Sequence, residues 1–591
     1  MDQRLFLAIA LSMLVLIGYY LIFPPPSTQR PKQPPPAAES SGPGAPAAPG
    51  SVAGQGGQSA ALAGSAPGLT AAAPAPAAGA APAAQAEGKV VRVETPLYVA
   101  TVDTRGGTFT SFKLKRYKVE KDNINWGDLL PFLRRLPYLK HWLTKPNFDP
   151  DANEDMAPLP QMGVADLGMR FIGEDSLTRA TAGLVYQADA DALRIADAKQ
   201  PAQTLVLRGS GADGLIIEKR LTFHPDSYIV DYAVSVANYG ERPKPLRMAM
   251  LFGEGPQGAH DPKHYRSHRG PIWHEDGDLE TESPDDVAPT RVVQKPEWLG
   301  MTDTYFITAA QAKTPISHGF YEGQEVQHDT GKIWIAAYGM ELPQVELEPA
   351  KMVTSEFKLY LGPKRVSEMV KFGSKLDASL DLTLDVLAQP MLALMRWFHT
   401  FTGNYGVSII MLTIVVRVLL FPLTYRGMLS IKRMQKLQPR MTALREKFKK
   451  DKERLNREMM TMYRKHKMNP LGGCLPIALQ IPIFFALYSA LLGAIELRHE
   501  PFIWWITDLS AMDGLYITPL LMGVSMLVQQ RMTPTAMDPT QAKIMMWMPV
   551  VFTFFMVNFP SGLVVYWLTS NVLSVAQQVI INRIKVPEPQ D

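Results

Sequence analysis

A single cysteine, Cys474, occurs in 591 residues. One thiol excludes an intramolecular disulfide, so no part of the fold depends on oxidation. An extracytoplasmic domain remains open, because a domain large enough to bury a core needs no covalent staple. Phosphate-binding signatures are also missing: there is no G-x-x-x-x-G-K-[ST] run and no strand-linked G-x-G-x-x-G. Cys/His clusters with metal-ligand spacing are absent. His260, His264, His268 and His274 share an irregular, basic stretch, which reads as an exposed loop rather than a metal site. The formal net charge of +4 is small, and its meaning lies in its distribution along the chain.

The distribution is uneven. Residues 5–23 (LFLAIALSMLVLIGYYLIF) form an apolar run preceded by Arg4. At 1.5 Å per residue this nearly spans a hydrocarbon core of about 30 Å. The Pro24-Pro25-Pro26 that follows lacks the small-residue pattern of a cleavage site, so 1–23 reads as a signal-anchor. Residues 24–88 are mostly Pro, Ala, Gly, Ser and Gln, too poor in apolar side chains to offset ordering entropy, and read as a disordered linker. From 89 to 382 the pattern changes to short strands. QTLVLR (203–208), LIIEKRLTF (215–223) and YIVDYAVSV (228–236) alternate apolar and polar residues, as half-buried strands do. Many short strands without intervening helices predict an all-β sandwich. Residues 120–170 carry no assignable pattern.

Residues 383–402 predict a helix lying at a bilayer surface, with Met391, Leu394, Met395, Phe398 and Phe401 as its apolar stripe and Trp397 at the interface. A core helix packed on the sandwich is the alternative. Five long apolar runs follow: Val407–Leu423, Leu475–Ala494, Leu515–Val528, Ile544–Val557 and Leu563–Ile581. Together with the anchor they predict a polytopic bundle of six crossings. The segment 426–468 holds fifteen basic residues, Lys432 among them, against Glu446, Asp451, Glu453 and Glu458. The next connection, 495–514, carries Glu496, Glu500, Asp508 and Asp513 against Arg498. Positive charge marks the cytoplasmic side, so the β-domain falls outside and both termini inside. Residues 431–466 repeat apolar positions every three or four, which predicts that the segment 426–468 is a helical hairpin, bent at Pro439. Met434, Met441, Met459 and Met462 offer it an adaptable apolar surface; the same seam could simply hold the hairpin together. Its basic exterior suits anionic lipid or RNA.

Arg417 lies inside SIIMLTIVVRVLLFPL, where an arginine costs about 2.5–3.5 kcal/mol on insertion scales. No Asp or Glu occurs in any of the five runs. The side chain therefore needs water, neutral polar groups or a transient ligand, or it snorkels to headgroups near Tyr425-Arg426, where the helix is expected to end about two turns later. Thr413 lies one turn earlier on the same face, and Gln480, Ser489, Ser525, Thr553, Thr569, Ser570, Asn571 and Ser574 are candidate liners.

Six stretches share one resemblance: 408–417 (SIIMLTIVVR), 421–426 (FPLTYR), 468–488 (MNPLGGCLPIALQIPIFFALY), 501–510 (PFIWWITDLS), 532–555 and 559–578 (FPSGLVVYWLTSNVLSVAQQ). Residues 404–582 resemble the YidC/Oxa/Alb membrane-insertase family, and the whole chain resembles its Gram-negative bacterial type. EWLGMTDTYFITA (297–309) supports this outside the apolar runs. The resemblance implies an insertase and chaperone for inner-membrane proteins, without covalent chemistry, nucleotide hydrolysis, cofactor or metal. It implies a five-helix core (403–585) holding a hydrophilic groove open to cytoplasm and lipid, a periplasmic β-supersandwich, and a short tail (586–591). Arg417, Thr413 and Gln480 match groove positions, Trp567 matches a substrate-contacting position where some relatives have Tyr, and Ser570 and Asn571 lie beside it. Implied partners are nascent integral membrane proteins, the Sec translocase with its SecD/SecF part, the ribosome and anionic lipids, not DNA. The tail VPEPQD lacks the basic character of many relatives. A solute transporter and a carbohydrate-acting enzyme are the competing classes; the first needs more ionisable residues in the spans, the second a readable pair of carboxylates.

Overall fold

The computed structural model describes residues 88–119, 152–157, 166–211, 214–255, 269–328, 331–380, 385–448, 451–465, 475–532 and 539–584. The signal-anchor, almost all of the linker, most of 120–170, His260, His264, His268 and the tail lie outside these residues.

The N-terminal half is built of strands. A nine-stranded antiparallel sheet runs in the order Asp278–Thr281, Gly270–Glu275, Pro296–Thr302, Phe306–Ala312, Met352–Pro363, Ile229–Asn238, Leu215–Phe223, Gln203–Ser210, Gln187–Ala188. A five-stranded antiparallel sheet is centred on Gly331–Glu341, paired with His318–His328 on one side and Met248–Gly255 on the other. Val90–Glu94, Tyr98–Asp103 and Thr108–Lys118 form the middle of a further five-stranded sheet. The alternation read in the sequence sets the burial: Leu205 and Leu207, then Leu215, Ile217, Leu221 and Phe223, all point inward. All three sheets feed one core. Phe252 meets Phe357 at 5.1 Å and Trp273 meets Tyr321 at 5.5 Å between the nine-stranded sheet and the sheet centred on Gly331–Glu341. The Tyr321 hydroxyl donates to the Ile272 carbonyl (2.7 Å) and accepts from the Gly300 N–H (3.0 Å), joining the same two sheets.

Lys219 occupies an inward position where the pattern calls for an apolar residue. Its Nζ donates to the carbonyls of Gly106 (2.7 Å), Leu167 (2.8 Å) and Gly107 (3.1 Å). Burial pushes its pKa down to about 7. Three acceptors need three N–H groups, so the ammonium is the form that satisfies this cage. His274 corrects a sequence expectation. It sits on a strand, 1 % exposed and stacked on Trp298, rather than in an exposed loop.

Ten helices of the described residues are numbered in chain order. α1 (Asp175–Ala182) and α2 (Val366–Phe372) pack on the sheets; α3 (Asp385–Thr402) leads away from them. Then follow α4 (Tyr405–Lys436), α5 (Gln438–Lys447), α6 (Lys452–Lys465), α7 (Leu475–Gly493), α8 (Ile517–Met532), α9 (Pro539–Met556) and α10 (Ser561–Arg583). By length and composition, Tyr405–Ser430 and Ser561–Arg583 are long and apolar enough to cross a membrane; Gln480–Gly493 and Met546–Met556 are shorter apolar segments. Val418, Leu419, Leu520, Val524, Trp547, Phe554 and Ile580 are exposed, which leaves α4, α8, α9 and α10 with a greasy outer surface that water does not favour.

Three expectations change here. α4 does not end near Tyr425; it continues to Lys436, and Leu437 separates it from α5. Pro439 lies in the first turn of α5, where a missing N–H is harmless, so it starts a helix instead of bending one. The hairpin is therefore α5 and α6, shorter than 426–468. Met441 is buried, Met459 and Met462 are half-buried, and the Met434 side chain lies outside the described set. On α3 the buried stripe is Ala388, Leu392, Met395 and Phe398, packed on Tyr405, Ile409, Leu487 and Leu491. Phe401, read as part of that stripe, is 69 % exposed and meets the exposed Trp397 edge-to-face at 4.9 Å.

The turn after α7 joins the two halves. Ile495 inserts into the β-core, while Ala494 and Leu497 belong to the helical core. Arg498 Nη2 donates to the Val119 carbonyl (2.9 Å) and reaches Glu154 Oε2 at 3.4 Å. Its guanidinium lies 4.9 Å from the Phe306 ring centre and 5.4 Å from that of Tyr305. Burial raises the Glu154 pKa and Arg498 opposes the rise. Arg498→Ala removes these contacts together and leaves Glu154 half-buried without its cation. The expected loss is about 2 kcal/mol, seen as a lower melting transition of the β-domain in the full-length protein.

Candidate functional site

Arg417 stands near the middle of α4, with mostly apolar neighbours in sequence. The fold places α10 beside it. Arg417 Nε donates to Ser570 Oγ at 3.1 Å, and Nη2 contacts the same oxygen. The guanidinium is thus turned toward α10. Thr413, Val416, Arg417, Leu420, Gln480, Ile483 and Tyr566 line a small cavity between α4, α7 and α10, with space for roughly one water. Tyr566 lies against Ser570 and Gln480. Thr413 donates back to the Ile409 carbonyl (2.7 Å), so its hydroxyl is already used within the helix. Among the described residues no carboxylate pairs with Arg417.

The structure brings Arg417, Thr413, Gln480 and Ser570 together. It does not bring Trp567 or Asn571 to this cavity. Trp567 lies between Phe484 of α7 (4.7 Å) and Phe552 of α9 (4.5 Å). Asn571 Nδ2 donates to Ser525 Oγ of α8 at 3.1 Å. Adjacent residues on a helix point about 100° apart. Tyr566 and Ser570 therefore face α4 while Trp567 and Asn571 face the other helices.

Two further features escaped the sequence reading. Gln577 Nε2 donates to Thr424 Oγ1 at 2.9 Å, extending the polar contact between α4 and α10. Asp508 and Asp513, counted in the sequence only as charges of the connection 495–514, are 5 % and 2 % exposed. Asp508 accepts from the backbone N–H of His499 and Ser510. Asp513 accepts from Leu515 N (3.0 Å), Thr518 N (2.8 Å), Thr518 Oγ1 (2.6 Å) and Trp505 Nε1 (3.3 Å), capping the start of α8. The spacing Asp513…Thr518 before an apolar run was the available signal.

These features define a class: a β-domain joined to an apolar helical bundle that holds Arg417 inside with no carboxylate partner among the described residues. The family model described as 60Kd inner membrane protein matches residues 397–588, and that described as YidC periplasmic domain matches 158–394. A membrane protein insertase YidC of Geobacter metallireducens is 34% identical over 594 residues, covering 99% of this chain and 98% of that protein. Those of Maridesulfovibrio salexigens and Syntrophus aciditrophicus are 37% and 36% identical, covering 98% and 99% of this chain and 99% and 100% of theirs. A crystal structure of an active YidC insertase with its first transmembrane domain resolved is 16% identical, with a TM-score of 0.34, covering 83% of this chain and 93% of that one. The chain belongs to the YidC family of membrane protein insertases, proteins of the inner membrane with a periplasmic domain.

Proposed function

We propose that insertion proceeds through a hydrophilic groove centred on the Arg417 cavity, open to the cytoplasm and to lipid. The observation that carries this reading is a guanidinium in the apolar bundle held by a serine hydroxyl instead of a carboxylate. A charge left formally unpaired in a low-dielectric site attracts the acidic or polar residues of a passing segment. Thr413, Gln480 and Ser570 surround that charge; Trp567 and Asn571 form a second wall toward α8 and α9. The substrate's polar segment crosses a shortened dry path, and its apolar helix then partitions into lipid. This needs binding and release, with no covalent step and no nucleotide.

The proposed topology has α4, α7, α8, α9 and α10 as a five-helix membrane core, an N-terminal signal-anchor, both termini in the cytoplasm and a periplasmic β-supersandwich. α3 then lies at the outer interface with Trp397 and Phe401 toward lipid. The basic α5–α6 hairpin faces the cytoplasm, where Met459, Met462 and Met434 receive substrates from the ribosome and its lysines and arginines meet anionic lipid. The Sec translocase, with SecD/SecF, is the proposed partner for larger substrates. The test is reconstitution of the purified chain into liposomes without Sec components or nucleotide. A single-span substrate with a short acidic leader becomes protease-protected in the expected case. Absence of protection across several such substrates contradicts the reading.

A further inference from the structure

The helices α4 and α10 keep one register along their contact. Arg417 meets Ser570 and Thr424 meets Gln577, each pair 153 positions apart. Ile409 packs at Gly562 and Thr413 shares the cavity with Tyr566, at that same separation. Partners advance together, so the two helices run parallel, and the rungs recur at steps of four, four and seven residues, on one face of each helix as in a coiled-coil seam. Sliding one helix by a single residue moves its side chains about 1.5 Å axially and about 100° around the axis. Such a slide breaks the Arg417–Ser570 and Thr424–Gln577 rungs at once.

The seam ends in a lysine. Lys432 Nζ donates to the carbonyls of Ile584 (2.6 Å), Ile581 (2.8 Å) and Asn582 (2.9 Å). The last carbonyls of a helix have no partner within it, and the negative end of its dipole favours a cation. All three ammonium N–H groups are spent on the end of α10. Lys432 is on the part of α4 that runs on toward α5 and α6, so it ties the root of the basic hairpin to the end of the last helix. We propose that Lys432 is a positioning residue: it locks the axial register of α10 against α4 and so holds Ser570 and Tyr566 at Arg417. Its contribution to insertion rests on the groove reading; the register lock itself does not.

The test uses full-length protein in liposomes with Cys474 replaced by serine and spin labels at two exposed sites, Leu419 and Ile580. Lys432→Met is expected to broaden the distance distribution between the labels and to lower the insertion rate roughly tenfold. Lys432→Arg, which keeps charge and several donors, is expected to restore both. Lys432→Gln, with two donors, gives an intermediate distribution and carries the test should the Met variant not accumulate. An unchanged distribution in Lys432→Met and Lys432→Gln overturns the proposal, whatever their insertion rates. If Arg417→Ala inserts normally while Lys432→Met still broadens the distribution, the groove reading fails and the register lock stands.

Discussion

Replacing Arg417 with alanine is expected to cut insertion of a substrate with an acidic leader by about tenfold or more while leaving the protein folded. The two effects separate for a physical reason. In the bundle the guanidinium is held chiefly by the Ser570 hydroxyl, and burial of a charge in such surroundings is costly. Removing it relieves that cost, so the melting temperature stays level or rises. The transport path loses the charge that draws an acidic segment inward, and about 1.4 kcal/mol of lost attraction is tenfold in rate. Arg417→Lys keeps the charge but not the fork that reaches Ser570 through Nε and Nη2, and falls between the two. Substrates with a neutral leader lose less. Initial insertion rates into proteoliposomes, measured beside thermal unfolding of the same preparations, separate these outcomes. A parallel fall in stability and insertion for both leader types contradicts the electrostatic role.

Asp513→Ala is expected to act in the opposite way, through stability. Four donors converge on this buried carboxylate, from Leu515, Thr518 twice and Trp505. Alanine leaves them without an acceptor, and the loss is about 3–5 kcal/mol by comparison with buried charged networks. The start of α8 then frays, and α8 is the helix whose Ser525 holds Asn571. The protein level in membranes and the melting temperature both fall; Asp513→Asn, which keeps one acceptor oxygen, recovers part. An unchanged melting temperature in Asp513→Ala contradicts this role of the cap.

The sequence carried some of this architecture in patterns that need no third dimension. Alternation at 203–208 and 215–223 is set by the pleat, and the same residues lie in strands with those faces buried. The lack of Asp and Glu in the apolar runs is a compositional fact, and it leaves water, neutral polar groups, a transient ligand or snorkelling as the ways to accommodate Arg417. Ser570 was among the candidates for that reason. What the sequence withheld depends on neighbours. Helical periodicity gives the angle between Tyr566 and Trp567 but not which helix lies in each direction; Trp567 is named by the family resemblance, and nothing in the sequence singles out Tyr566. On α3 the periodic positions Leu394, Phe398 and Phe401 looked equivalent; only the position of α4 and α7 makes Leu392 inside and Phe401 outside. Asp508 and Asp513 count in the sequence only toward the charge of their connection, whereas in the fold they replace missing backbone partners. Lys432 was one of fifteen basic residues in its segment, and nothing local set it apart from the others. Its distinction comes from the end of a helix about 150 positions later.

A substrate of this insertase is expected to pass beside Arg417. The most direct measurement places a photo-crosslinking residue at Gln480, in the cavity wall, and another at Leu419, 72 % exposed on the outer face of α4. Ribosome-stalled nascent chains of a single-span substrate are presented at increasing lengths. Crosslinks from Gln480 are expected at the lengths where the polar leader enters, with those from Leu419 absent or delayed until the apolar helix reaches lipid. Crosslinks from Leu419 alone, at every length and for several substrates, would contradict it.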